Sequence, residues 1–424
     1  MYELQLQPLL ERHSRRHLIP GAQLAVHRDG ITQTVEFGVQ HAGGPPMTRA
    51  ARVPVGSVSK TFTAALAMIL VSDGDLDLDE PLAEYLPAAA SLSDRLTARH
   101  LLSHTGGLPS DSDETTASTL SRHVAECLRR AEPLHEPGDG FSYSNIGYSA
   151  AGHLIEVLTG MSWWEAMSSV LLRPLGVDAH FVVAPDGPQD AVPGHAVNPE
   201  RHRVVPVHQS LTLVDAPAGA VAASAIDLVR LGRMLAGEGP PLVQDAELRE
   251  MRTPVAGAEP FGMADAWGLG VALFEGGWFG HDGTGDGTSC HLRVHPESGT
   301  VVALTTNGST GFAMWRELAR ELGVGDYDAC RGLGERVAAP PPDCMGRFHN
   351  GDTEYSVSPG KDTPLRLVVD GEPFAELTLY DRLMFRMRDV DTGDTSQAGR
   401  FLRGSPGRDI GWLQVGGRLA RRAA

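Results

Sequence analysis

Lysine is almost absent from this chain. Of 36 basic residues among 424, only Lys60 and Lys361 are lysine and 34 are arginine. A GC-rich genome disfavours lysine codons, so a retained lysine points to a task that arginine cannot perform. A buried amine can lose its proton near neutral pH and act as a base, whereas a guanidinium cannot. Long apolar runs are missing too. The longest, Ala64 to Val71, is far too short for a membrane span. The four cysteines, Cys127, Cys290, Cys330 and Cys344, lack metal-site spacing and are expected as reduced, buried thiols. No metal and no cofactor is expected. A formal net charge of −17 speaks against nucleic acid and anionic membranes as partners. Met1 to Gln5 carry no basic segment leading into an apolar stretch, so a cytoplasmic location is expected. Asp73, Asp75, Asp77 and Glu84 imitate a calcium loop. Leu78 stands where that loop needs glycine and Pro81 interrupts it, so a solvated acidic loop is expected.

What remains is enough for one large domain plus a small one, and 42% hydrophobic residues can supply a substantial core. A helical apolar pattern runs from Leu4 to Leu18. Ala22 to Val39 reads as a hairpin turning at Arg28-Asp29-Gly30. A helix is predicted to begin near Ser57 and end before Gly74. The stretch from about 80 to 265 is mainly helical, with stops at Pro87, Gly160, Pro174 and Gly176. Within it, Ser224 and Asp227 mark a capped helix start. Strands return at Gly268 to Phe274, Cys290 to Val294 and Val301 to Thr306. Strands at both ends with helices between predict an α+β domain over 1–336, whose mixed antiparallel sheet joins the two ends. Val337 to Pro342 reads as a linker. Residues 343–424 then show six short strands, from Glu354–Val357 to Gly411–Val415, and predict a small antiparallel barrel or sandwich.

The candidate chemistry begins at Gly56-Ser57-Val58-Ser59-Lys60. Ser57 and Lys60 are three residues apart, so on a helix both project from one face. If the helix starts at Ser57, its N-terminal N–H groups also favour an oxyanion there. Ser-x-x-Lys alone is a common pattern; the scarcity of lysine gives it weight. Tyr143-Ser144-Asn145 precedes a helical stretch. Tyr143 is either an aromatic packed at a helix start or a hydroxyl relay to Ser57, the relay requiring Lys60 nearby to lower its pKa. In Gly280-His281-Asp282-Gly283-Thr284-Gly285-Asp286-Gly287, four glycines in eight residues suggest a strand edge lining a cleft, with His281 facing the substrate.

These segments, with Leu101-Leu102-Ser103-His104-Thr105-Gly106-Gly107-Leu108-Pro109 between them, resemble the serine β-lactamase and penicillin-binding-protein superfamily. The similarity is to the branch of class C β-lactamases, DD-peptidases, esterases and D-aminopeptidases. It extends, in the family's order, from Ile19-Pro20-Gly21 to about residue 310, through Pro174-Leu175-Gly176 and Pro217-Ala218-Gly219. The resemblance implies Ser57 as acylated nucleophile, Lys60 as its base or the activator of its base, and Tyr143 as proton shuttle. Asn145 would contact Lys60 or a substrate amide. The backbone N–H groups of Ser57 and of Thr284, beside Gly283, would form the oxyanion hole. His104 would be structural. Class C β-lactamases carry Lys-Thr-Gly where this chain has His281-Asp282-Gly283, so the cation that meets a β-lactam carboxylate is absent and His and Asp are left to bind more varied groups. The C-terminal segment resembles the lipocalin-like domains of some D-aminopeptidases.

The expected function is an intracellular serine acyl-transfer enzyme acting on a small-molecule ester or amide. With water as acceptor it is an esterase or peptidase-type hydrolase. With an amine or alcohol acceptor it is a transacylase of specialised metabolism. A rival from another class is a non-catalytic sensor acylated once. Acceptor, stereochemistry and oligomeric state are not encoded in these motifs.

Overall fold

The computed structural model describes residues 5–112, 118–183, 191–207, 209, 211–360, 364–404 and 409–423. Lys361 and Leu4 lie outside them. Seven antiparallel strands form the central sheet. In spatial order they are Ile31–Gly38, Gly21–Arg28, Thr300–Thr306, Thr288–His295, Trp278–Gly285, Ala272–Phe274 and Ala266–Trp267. The N-terminal hairpin turns at Asp29-Gly30, with Arg28 opposite Ile31, and Ala22 pairs with Thr306. The two ends of the domain therefore meet in adjacent strands.

The central strands of the sheet are buried on both faces, the edge strand Ile31–Gly38 is largely exposed, and the pleat sorts the side chains. Leu24, Val302 and Leu304 pack with the Leu6–Arg16 and Gly311–Leu322 helices. Their neighbours Ala25, Val301 and Ala303 join the larger core on the other face. That core surrounds the Ser59–Asp73 helix, in which every residue from Ser59 to Leu70 is buried. A helix apolar on all sides belongs in the middle of a domain, not on its surface. Gly74, at φ 82°, ends it in the left-handed conformation that glycine adopts at least cost. Ser224 and Asp227 form the reciprocal cap of the Ala225–Ala236 helix. Among the described residues no helix is long and apolar enough to cross a membrane.

Three local expectations are corrected. Ser57 is not on the helix; it sits in a 3-10 turn, Gly56–Val58, that feeds the helix beginning at Ser59. The strand expected at Gly268–Phe274 is broken, because Gly268 N–H turns back to Val271 O and Gly270 N–H donates to Leu102 O. The mainly helical middle also contains short strands, His180–Phe181, Gly194–Asn198, Arg203–Val207 and Val221–Ala223, too short to show a period of two.

The C-terminal part is a closed eight-stranded antiparallel barrel from Gly346 to Arg422. Its interior is filled by Phe348, Phe385, Phe401, Leu413 and other buried side chains. The first and last strands, Gly346–Asn350 and Arg418–Arg422, escaped the six-strand reading. They are short, glycine- and arginine-rich, and become strands by pairing with each other, Phe348 opposite Arg422.

Candidate active site

The Gly56–Val58 turn is pressed against the outer edge of the Trp278–Gly285 strand. That strand pairs outward with Ala272–Phe274 only as far as Gly280, which leaves its His281–Gly285 end free to line a cleft. The approach is close enough to require glycine. A Cβ on Gly283 would lie 2.0 Å from Val55 O and 3.0 Å from Ser57 N. A Cβ on Gly56, itself at φ 53°, would lie 2.4 Å from Thr284 O. Ser57 and Thr284 thus stand side by side on the wall of a cavity of about 450 Å³, with Asn145, Asp111, Asp215 and Gln209 around it. Gly283 is buried beneath the turn and acts as a spacer, not as a lining residue.

Lys60 is fully buried, and its Nζ donates to Ser57 Oγ at 3.1 Å and to Ala218 O at 2.8 Å. Burial pushes its pKa down to about 7; Asp111 and Asp215 pull it up and Arg418 pulls it further down. The same helix braces the segment opposite: Thr63 donates to Pro217 O, and Val221 N–H donates to Ser59 Oγ. This explains the Pro217-Ala218-Gly219 pattern, which presents one carbonyl to Lys60.

Tyr143 is buried and its hydroxyl is hydrogen-bonded to Ser57. Lys60 Nζ lies 4.9 Å from the centre of its ring. Burial raises the Tyr143 pKa, outweighing the lowering by Ser57 and Arg418. The condition that Lys60 makes Tyr143 more acidic is not met; the phenol keeps its proton. The loop from Leu101 to Pro109 sets this residue. His104, at φ 59°, accepts the Ser142 N–H on its carbonyl and the Ser144 N–H on Nδ1, while its ring lies 4.2 Å from that of Tyr143. Burial holds His104 neutral, well below its usual pKa.

Three expected contacts differ. Asn145 Nδ2 donates to Asp111 Oδ1 at 2.6 Å and not to Lys60, while Asn145 still lines the cavity beside Ser57, where the other expected contact, a substrate amide, would lie. His281 is 1% exposed and does not line the cavity; it lies behind Tyr143, with Nδ1–H donated to the Asp282 carbonyl. Burial, with Lys60 nearby, lowers its pKa to about 4. Asp282 points to the other face of the strand, as alternation requires. There it accepts two bonds from Arg293, at 2.7 and 2.9 Å, and one from His291 at 2.6 Å. Burial alone would raise its pKa, but Arg293 and His291 hold it low, so its charge is already matched inside the protein.

Two participants had no signal in the motifs. Asp111 follows the Leu101–Pro109 loop and holds Asn145. Arg418 comes from the last barrel strand; its guanidinium lies 5.5 Å from the Tyr143 ring centre and its Nε 3.9 Å from Asp111.

The family model described as Beta-lactamase matches residues 6–324. Penicillin-binding protein 4 of Amycolatopsis lactamdurans is 35% identical over 350 residues, covering 77% of this chain and 90% of its own. Among solved structures, SurE superposes with a TM-score of 0.84 at 37% identity, over 98% of both chains, and a second SurE structure contains D-Leu. A D-amino acid amidase from Ochrobactrum anthropi superposes with a TM-score of 0.64 at 25% identity, over 75% of this chain and 95% of its own. With the motif order, the sheet and the Ser57–Lys60–Tyr143 cluster all in agreement, this chain is a member of the beta-lactamase family of serine hydrolases.

Proposed function

We propose that the protein is a serine acyl-transfer enzyme, acting as a hydrolase on an ester or amide whose acyl residue has the D configuration. The observation that carries this is the 3.1 Å contact between Ser57 Oγ and a fully buried Lys60 with a pKa of about 7. Near neutral pH about half of such an amine is uncharged and able to take the Ser57 proton. Ser57 Oγ then bonds to the substrate carbonyl carbon, and the oxyanion meets the N–H groups of Ser57 and Thr284. The neutral Tyr143 hydroxyl passes its proton to the leaving group while it takes one from the protonated Lys60 side and the carbonyl re-forms, a concerted exchange that needs no phenolate and therefore no lowered Tyr143 pKa. The acyl-enzyme is released when the acceptor's oxygen or nitrogen attacks and the proton returns by the same route. The D preference is supported by the D-Leu held by SurE and by the D-amino acid amidase. His281 supports Tyr143 from behind.

A second reading, transfer to an amine, is favoured by the space beside the cleft. A further cavity of about 660 Å³ lies between the helices and the barrel and shares Asp111 and Ser112 with the first. It could admit an acceptor far larger than water.

The test is mass spectrometry of the intact protein with D- and L-aminoacyl esters, with and without an added amine. A D-selective adduct on Ser57, cleared by water or amine, is expected. A folded protein that takes up neither enantiomer, or an adduct that persists in Ser57→Ala, would exclude the proposal.

A further inference from the structure

The face of the sheet away from Ser57 holds a second cluster of reactive side chains. His13 and His17 are four residues apart, one turn along the Leu6–Arg16 helix and its C-cap. Glu317 projects toward them from the Gly311–Leu322 helix. One ligating atom from each lies within 4.8 Å of the others. We propose that His13, His17 and Glu317 form a binding site for a divalent transition-metal ion, which staples the first helix of the domain to its last.

The hydrogen bonds make the case. The Nε2–H of His13 donates to Glu321 Oε1 at 2.9 Å. In the neutral ring Nδ1 must then carry a lone pair, not a proton. That lone pair faces Glu317 Oε2, another acceptor, at 3.3 Å. His17 Nε2 lies 3.2 Å from the same oxygen. His13 Nδ1, His17 Nε2 and Glu317 Oε2 are all shut off from solvent; His17 can donate to Glu317, whereas His13 Nδ1 has no hydrogen-bond partner. His13 is itself only 3% exposed. The His13 Nδ1 lone pair, buried 3.3 Å from a carboxylate oxygen, is repelled by it unless a proton or a metal cation lies between them, and a metal there would also take His17 Nε2 in place of its proton.

The spacing suits such a cation. Ligands about 2.0–2.1 Å from a tetrahedral zinc ion sit about 3.3 Å apart, the corner-to-corner distance of that tetrahedron. Two imidazoles and a carboxylate are a donor set suited to zinc and its neighbours. Glu321 supplies the outer carboxylate that commonly fixes a ligating histidine. The rival occupant is a proton on His13, with Arg16, whose NH1 lies 3.2 Å from Glu317 Oε2, completing the charge balance. The expectation of no metal rests on cysteine spacing, whereas this cluster joins His13 and His17 to a Glu317 about 300 residues away, where no local spacing marks it.

The experiment treats the full-length protein with chelator, removes the chelator, and titrates Zn2+ or Co2+ alone. Expected are saturation at one ion per chain, the visible bands of tetrahedral Co2+, and a Tm that climbs with zinc concentration. His17→Gln, at a partly exposed position, and Glu317→Gln should each weaken binding at least tenfold, with ester turnover at Ser57 unchanged. Stability that responds to pH but not to metal would overturn the site in favour of the proton. Binding of equal strength in both variants would overturn it in favour of other residues.

Discussion

The main-chain N–H of Tyr143 donates to the carbonyl of Gly417 at 3.0 Å. The residue that faces Ser57 from one domain is thus hung on a hairpin turn of the other. Asn350 adds to the same junction: it accepts the Ser110 N–H at 2.6 Å and donates to Ser142 Oγ and Leu419 O. The barrel is therefore part of the frame that sets Tyr143.

Removing the barrel should disable the site. A chain ending near Arg336 would leave the Tyr143 and Ser110 N–H groups without these partners. Asn350→Ala is the milder form. It should cost about 1–3 kcal/mol, the usual price of stranding buried polar groups, and lower kcat for an ester more than it raises KM. Thermal melts and steady-state kinetics of both proteins check this; full activity in the truncated chain would make the junction irrelevant to catalysis.

Lys60→Arg should be nearly as damaging as Lys60→Ala, each slowing acylation by roughly 100-fold or more, the scale of a lost acid–base group. Arginine keeps the charge but cannot give up its proton at working pH. Pre-steady-state acylation rates decide between a base and a fixed charge.

The acid limb of the pH–rate profile should fall at a pH of about 7, because Ser57 needs Lys60 uncharged. Arg418 lowers the Lys60 pKa and Asp111 raises it. Arg418→Gln should therefore move the limb to higher pH and Asp111→Asn to lower pH. Profiles of kcat/KM for the three proteins measure the shifts.

The same lysine should leave a mark on stability. Its folded pKa is about 7 and its ordinary value 10.5, so between those pH values the unfolded chain holds more protons. Stability should rise with pH across that window, by roughly 1.4 kcal/mol per pH unit at its steepest. It is fully gained above the upper value and lost below the lower one. Denaturant curves for the protein and for Lys60→Met, compared from pH 6 to 11, isolate this contribution; parallel pH dependences would contradict the lowered pKa.

Gly283→Ala should abolish acylation without unfolding the domain. Its Cβ would meet Val55 O at 2.0 Å and force the edge strand off the Ser57 turn, opening the oxyanion hole. A loss of 100-fold or more in kcat is expected, with near-native circular dichroism.

Much of the site was legible because its chemistry is local. Ser57 and Lys60 are three residues apart, Tyr143 and Asn145 two, and the scarcity of lysine singled out the amine. The hairpin at Asp29-Gly30, the Ser224–Asp227 cap and the all-apolar helix ending at Gly74 are likewise set by short-range turn chemistry and periodicity. Where the sequence misled, tertiary contacts had reassigned a side chain. Asp282 lies on the far side of a strand whose pleat phase the glycines conceal, and Arg293 and His291 neutralise it there. Asn145 is held by Asp111, and His281 is sealed behind Tyr143.

The sequence by itself determined the family's motif set, the nucleophile–amine pair and a barrel or sandwich after the proline run, because each rests on neighbouring residues. Only the tertiary structure decided that the barrel closes and that its turn grips Tyr143. It alone placed Arg418 beside Asp111 and gathered His13, His17 and Glu317. Those relationships join segments hundreds of residues apart. Their geometry is fixed by packing and by the need to satisfy buried polar groups, which no local pattern records.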